Sequence, residues 1–420
     1  MNWKAILFWL LIFTGLTYFF FSFASYLFDR QEEVQLFIPQ WNVIQSMLSH
    51  PGGISHVAGL LCTQYYYYPL IAAIINSSLL TGTGICCYLL LQRISSRSYH
   101  LLLSLFPLFI LVKAHIQFNY ITDGTLGFLG LLTTLLIVSN FHTWKIRLIM
   151  HMAGAVFVYW MSGQLVFLYG ILTVLLEFIY AGKSPIIAFT SFFSASLLAF
   201  IGIRYSLLRP LTEGLKGKAY HEMQLQSGSY VYHIWIIVCV ALIMILIISW
   251  LLSKIKWEKK KIKAGVTSGI LVCLYFFSGF YLPDVYDVQN RMIDQLSYLS
   301  RRQKWEVIIQ MHSGKKIPSA VNRNYLNMAL AQKDMLGNRL FYFDQSGPQG
   351  LLASYNRTYQ MSVLLSDIHF VIGDISLSES YAMEGLTLAR RGGSPRMLQR
   401  LIQISLIREE GQLAEKYLSI

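Results

Sequence analysis

The sequence predicts an all-α protein: a polytopic membrane helix bundle of about nine spans, followed by an extracytoplasmic helical-repeat domain. Three observations carry this expectation. Of 420 residues, 55% are hydrophobic and only 13% charged, roughly half the charged share of a soluble domain. The apolar residues come in runs of about 20, the length that crosses a bilayer as a helix. Past residue 283 the chain turns polar and shows helical periodicity, with no run long enough to span. An ordinary cytosolic enzyme and a disordered chain are both excluded.

In chain order the apolar segments run 5–27, 69–91, 100–114, 121–139, 147–162, 164–181, 185–206, 230–252 and 264–282. The fifth and sixth are joined only by Tyr159-Trp160-Met161-Ser162-Gly163-Gln164, which predicts a tight re-entrant hairpin or two short helices. Basic residues orient the bundle, because cytoplasmic loops carry the excess of Lys and Arg. With the N-terminus in the cytoplasm, inside loops hold 12 basic residues against 6 at the outer loops and membrane ends. An odd number of crossings then places the tail outside, and the chain is expected in the plasma (inner) membrane. The first segment is too long for a signal peptide and lacks a small-residue cleavage site, so it reads as an anchor.

The domain division expected is 1–283, carrying an outer-surface loop at 28–68, and 284–420. In that loop, apolar positions 41, 43, 44, 47 and 48 fit one face of a short helix. Trp41 and Tyr65 to Tyr68 suit the headgroup level, so the loop is expected to lie on the membrane as interfacial helices. A second outer loop, 207–229, brings Arg209, Lys216, Lys218, His221 and Glu222.

In the tail, Gln303-Lys304-Trp305, Leu336-Gly337-Asn338, Ile372-Gly373-Asp374 and Glu410-Gly411-Gln412 recur at 34 to 38 residues. Each lies between two apolar-periodic stretches. A turn between amphipathic helices at that period resembles the tetratricopeptide family. The stretch from Phe341 to Ala353 departs from the pattern. The chain stops at Leu418-Ser419-Ile420, partway through a second helix, so the repeat domain is expected to be truncated at that end.

The net charge of +13 is not a nucleic-acid footprint. From Asp284 onward 16 basic and 13 acidic residues nearly cancel, and the remaining +10 sits mostly in short loops between apolar runs. The five cysteines show no C-x-x-C or Cys/His spacing, so they read as small buried hydrophobes.

Acids are scarce before the tail, and each can be weighed. Asp29, Glu32 and Glu33 follow the first segment and Asp123 opens the fourth, all at the outer surface on this topology. Solvation or helix capping would explain them blandly. As chemistry, a carboxylate there can serve as general base, or hold Mg²⁺ or Mn²⁺ against a phosphate leaving group.

The order of features is similar to polytopic glycosyltransferases of the GT-C class. Those begin with one membrane helix, then an outer loop with an acidic pair, interfacial helices and a Pro-containing return. The matching residues are Glu32-Glu33-Val34-Gln35-Leu36-Phe37, the loop helix from Trp41 to Ser49, Tyr67-Tyr68-Pro69-Leu70, and Asp123. The first acid is Glu where Asp is usual, and the return has one proline where two are frequent. The resemblance implies Glu32 as catalytic acid with Glu33 beside it, Asp123 as a second acid, and all three as ligands of a divalent cation. It implies a sugar donor on a polyprenyl phosphate, held by Arg204, Arg209 and Lys113, with His115 and His221 as acid–base candidates.

Two functions compete. One is transfer of a sugar from a lipid-linked donor to an extracytoplasmic acceptor. The other is a catalytically silent membrane scaffold whose repeat tail binds a protein partner for cell-envelope assembly. An envelope polysaccharide polymerase or ligase ranks third. A transporter ranks last, because charges within the spans lie near the surfaces.

Overall fold

A computed structural model describes residues 3–95, 97, 99–117, 120–141, 143–181, 193, 230–254, 260–281, 288–345, 347–389 and 392–420. Among these residues the protein is all-helical and has no strand. The helices are α1 (Trp3–Phe19), α2 (Ser25–Glu33), α3 (Trp41–Leu48), α4 (Gly53–Gln64), α5 (Pro69–Ile94), α6 (His100–Leu103), α7 (Leu105–His115), α8 (Asp123–Val138), α9 (Trp144–Ser162) and α10 (Leu165–Ala181). They continue as α11 (Tyr230–Ser253), α12 (Lys260–Tyr281), α13 (Val288–Arg301), α14 (Trp305–His312), α15 (Ala320–Gln332), α16 (Leu336–Arg339), α17 (Tyr359–Ile372), α18 (Ile375–Leu388), α19 (Pro395–Ile407) and α20 (Gly411–Leu418).

Among the described residues, three helical stretches are long and apolar enough to cross a membrane: Trp3–Glu33, Pro69–Ile94 and His233–Ser253. Shorter apolar helices run His100–His115, Asp123–Val138, Leu165–Ile179 and Gly265–Tyr275. The segment expected at 185–206 and the loop at 207–229 lie outside the described residues, apart from Phe193. With them lie Arg204, Arg209 and His221. The junction after Tyr159 is a turn between two helices, α9 and α10. It closes at Gly163, whose φ of +59° suits a residue without Cβ.

The chain divides into two units. The first comprises Met1–Ala24, Pro39–Cys62 and Leu70–Val285. The second comprises Ser25–Ile38, Thr63–Pro69 and Tyr286–Ile420. The stretch read as one outer loop is therefore divided. Its middle belongs with the apolar helices, and its two ends belong with the tail.

In the first unit, small residues let helices approach closely, as between helices without a hydrophobic driving force. A Cβ on Gly130 would meet the Met161 side chain, and one on Gly154 would meet Tyr169 and Thr134. Several buried polar groups pair with one another. His115 contacts Asn76 at 2.6 Å and Thr125 at 2.8 Å, and Tyr120 contacts Thr125 at 2.6 Å. Glu177 holds Arg147 at 2.7 Å and His151 at 3.3 Å.

In the second unit, four turns separate α13 from α14, α15 from α16, α17 from α18 and α19 from α20. Each has one left-handed residue: Gln303, Asp334, Gly373 and Glu409. Each closes with the same bond across five residues: Lys304 N–H to Leu299 O, Met335 to Leu330, Asp374 to His369 and Glu410 to Ser405, at 2.8 to 2.9 Å. That is the six-to-one bond of a Schellman end. The expected 34–38 spacing holds two of these left-handed residues, Gln303 and Gly373. Gly337 lies inside α16 and Gly411 begins α20. Ser319, Thr358, Asp374 and Ser394 accept the cap bonds of α15, α17, α18 and α19. Leu296, Ile308, Tyr325, Leu364 and Ile368 build one core. Val34 from the N-terminal segment joins Tyr359, Val363, Ala382, Met397 and Leu401 in another.

Candidate functional site

In α2, Ser-Tyr-Leu-Phe-Asp-Arg-Gln-Glu-Glu, the acids at 29, 32 and 33 are three and four residues apart and share a helix face. Every residue from Tyr26 to Glu33 is buried. Burying an ion costs several kcal/mol unless a partner is well placed, so this helix needs cations, and its unit supplies arginines. Arg301, at the end of α13, lies 2.6 Å from Glu32 and 3.3 Å from Asp29. Arg302 reaches Asp29 at 3.1 Å and donates to the Tyr67 carbonyl at 2.5 Å. Arg396, in the first turn of α19, pairs with Glu33 and with Asp367 of α17, the latter at 2.7 Å. Arg400 takes the other Asp367 oxygen at 2.7 Å. Arg30 lies 3.8 Å from Glu33 and 3.9 Å from Asp294.

Five carboxylates thus meet five guanidiniums, with no lysine among them. The guanidinium forks carboxylates and also stacks on rings. Arg30 lies over Tyr359 at 4.7 Å and Arg301 over Tyr67 at 4.9 Å. The Tyr359 hydroxyl donates to the Glu33 carbonyl at 3.0 Å and is 2.8 Å from the Ser394 hydroxyl. Two tail acids respond oppositely. Burial pushes Asp294 above the usual carboxylate range; Arg30 opposes this and Glu33 adds to it. Burial alone would raise Asp367 too, but Arg396 and Arg400 together hold it below that range.

Asp123 belongs to the first unit, unlike Glu32 and Glu33. It is the first residue of α8, where a carboxylate suits the positive helix end. Thr122, the rival cap, makes no side-chain cap bond. Asp123 is 1% exposed and lies 2.9 Å from His56 Nδ1. His56 and His50 line a cavity of about 400 Å³ bounded by α3 and by Pro51-Gly52-Gly53. Gly59, one turn beyond His56 on α4, lies where a Cβ would overlap the Asp123 carboxylate. Gly59→Ala is therefore expected to displace Asp123 and cost about 1–3 kcal/mol. A lowered melting midpoint of the purified chain measures this; an unchanged midpoint means that Asp123 yields freely.

Of the residues expected at the site, the structure joins Glu32 with Glu33, and sets Asp123 with His56. Lys113 and His115 are buried at the end of α7. Arg204, Arg209 and His221 are outside the described residues. The α2 carboxylates do not fit a Mg²⁺ or Mn²⁺ site as arranged, because guanidinium N–H groups occupy the oxygens that a cation would need. Among the described residues, no group of three or more His, Cys, Asp or Glu is placed to hold a metal. Sequence reasoning missed His56 and the partner arginines. The only signal for His56 was its place beside the Pro-Gly-Gly turn.

Over residues 1–420 the chain matches the family described as "Family of unknown function (DUF6057)", and it belongs to that family. No curated protein and no solved structure matches it.

Proposed function

We propose that this DUF6057 member is a membrane-anchored scaffold of the cell envelope. On this reading nine crossings hold it in the plasma membrane, with the N-terminus in the cytoplasm and the tail outside. The tail is a tetratricopeptide-like platform that binds a protein partner. One observation carries the choice over catalysis: each acid of the α2 pair is already the counter-ion of a buried arginine. A general base must be able to take a proton from substrate, and here that proton would break an ion pair within the fold.

A second reading, transfer of a polyprenyl-phosphate-linked sugar, keeps support from the His56–Asp123 pair beside its cavity. In such a pair the carboxylate fixes the ring tautomer and leaves the other nitrogen as the base. The test is a double variant, His56→Gln with Asp123→Asn, in cells, scored for envelope glycan and for protein level. The scaffold reading expects unchanged glycan while that variant accumulates normally, and a lost envelope phenotype when 286–420 is deleted. A drop in glycan product of about 10²–10⁴ at normal protein level would favour the transferase. Reporter fusions at positions 260 and 310 should fall on opposite sides of the membrane; the same side would end the proposed topology.

A further inference from the structure

The second unit has a cleft of about 260 Å³ whose walls come from α13, α14, α15, α17 and α19. Arg301, Arg396 and Arg400 line it, against a single lining acid, Asp367. The other carboxylates of the ion network are not among its lining residues. The network is balanced as a whole, but its cations face this opening in excess. Arg301 Nε and Arg400 Nε are enclosed within the protein and have no hydrogen-bond partner among the described residues. The Arg301 side chain is only 8% exposed. Three guanidiniums against one carboxylate give the opening a positive lining that favours an anionic occupant.

The rest of the lining narrows the ligand. Glutamines at 303, 332, 399 and 403 come from different helices or successive turns, and each can both donate and accept. That suits peptide N–H and C=O groups. Trp305 and Phe370 add apolar walls, and Arg400 stacks on Phe370 at 3.8 Å. A bare phosphate would leave the glutamine and aromatic surfaces unused.

We infer that this cleft binds an acidic peptide segment in extended form, its carboxylates on Arg301 and Arg400 and its backbone on the glutamines. The inference rests on the platform reading and gives that platform a partner chemistry. Electrostatic complementarity of this kind makes binding salt-sensitive.

The test uses the full chain in detergent and fluorescein-labelled octapeptides alternating Glu with Ala and Phe, read by anisotropy. The acidic peptide should bind, and its Lys counterpart should not. Gln332→Glu with Gln399→Glu places two negative charges at exposed positions outside the ion network. It should weaken acidic-peptide binding by about tenfold or more. Gln332→Ala with Gln399→Ala should weaken it less. No binding of the acidic peptide, equal binding of the Lys peptide, or indifference to the Glu variant each overturns the inference. Stronger binding to anionic phosphatidylglycerol vesicles than to the peptide overturns it as well. If peptide binding fails while deletion of 286–420 still abolishes the envelope phenotype, the platform stands and the cleft assignment alone falls.

Discussion

The tail expressed alone, as residues 286–420, is expected not to reach a stable fold, and a peptide spanning 25–38 added in trans is expected to restore one. The reason is charge. Without α2, Arg301 and Arg302 lose Asp29 and Glu32, and Arg396 loses Glu33. Removing one partner of a buried pair costs about 3–5 kcal/mol, and a whole domain is stable by only about 5–15 kcal/mol. The apolar account points the same way. Val34 leaves a cluster that includes Tyr359, Val363 and Met397, and the Tyr359 hydroxyl loses the Glu33 carbonyl. Helix content and thermal melting of 286–420, with and without the peptide, measure the effect. A peptide carrying Glu32→Gln and Glu33→Gln should fail to rescue, because it restores shape without charge. A cooperative melt of the lone tail, unmoved by the peptide, would show that α2 is dispensable.

This division explains which parts were legible in the sequence. The apolar runs announced the helices of the first unit, and the spacing of Trp41, Val43, Ile44, Met47 and Leu48 announced α3. Helical periodicity is local, so one segment suffices to read it. The acids of α2 also stood out, through scarcity. Their partners did not, because Glu32 and Arg301 are 269 residues apart and Glu33 and Arg396 are 363 apart. A carboxylate poised for chemistry and one locked in a buried pair look alike in a single sequence. The turns of the tail failed for a different reason. Glycine is the usual left-handed residue, yet Gln303, Asp334 and Glu409 take that conformation here, held by their helix-end bonds. The repeating triplets therefore found four turns, held the left-handed residue in two of them (Gln303 and Gly373), and fell one or two residues late in the others. His56 gave only its position after a Pro-Gly-Gly turn, and nothing local tied it to Asp123.

Asp367→Asn is expected to destabilise the tail and Asp294→Asn is not, although both remove a buried carboxylate from the same unit. Asp367 is held below the ordinary carboxylate value, so its ion pairs contribute stability that is present above that value, about 3.9, and lost as pH falls through the lower folded value. At neutral pH, Asp367→Asn leaves Arg396 and Arg400 short of charge and should cost about 3 kcal/mol or more. Asp294 is raised instead, by burial first, with Arg30 at 3.9 Å and a side-chain hydrogen bond from Gln360 as partial relief, and with Oδ1 lacking a hydrogen-bond partner among the described residues. Its charged form is the unfavourable one. The folded state takes up a proton before the unfolded state does, so stability rises as pH falls through the raised value toward the ordinary one. Asp294→Asn should thus be neutral or stabilising by about 1 kcal/mol at neutral pH, and that advantage should shrink on mild acidification. Protease sensitivity of the tail during thermal unfolding of the full chain reads both variants between neutral and mildly acidic pH. Equal destabilisation by the two would mean that both acids are paired alike. It would also remove the distinction between a doubly held Asp367 and a poorly compensated Asp294.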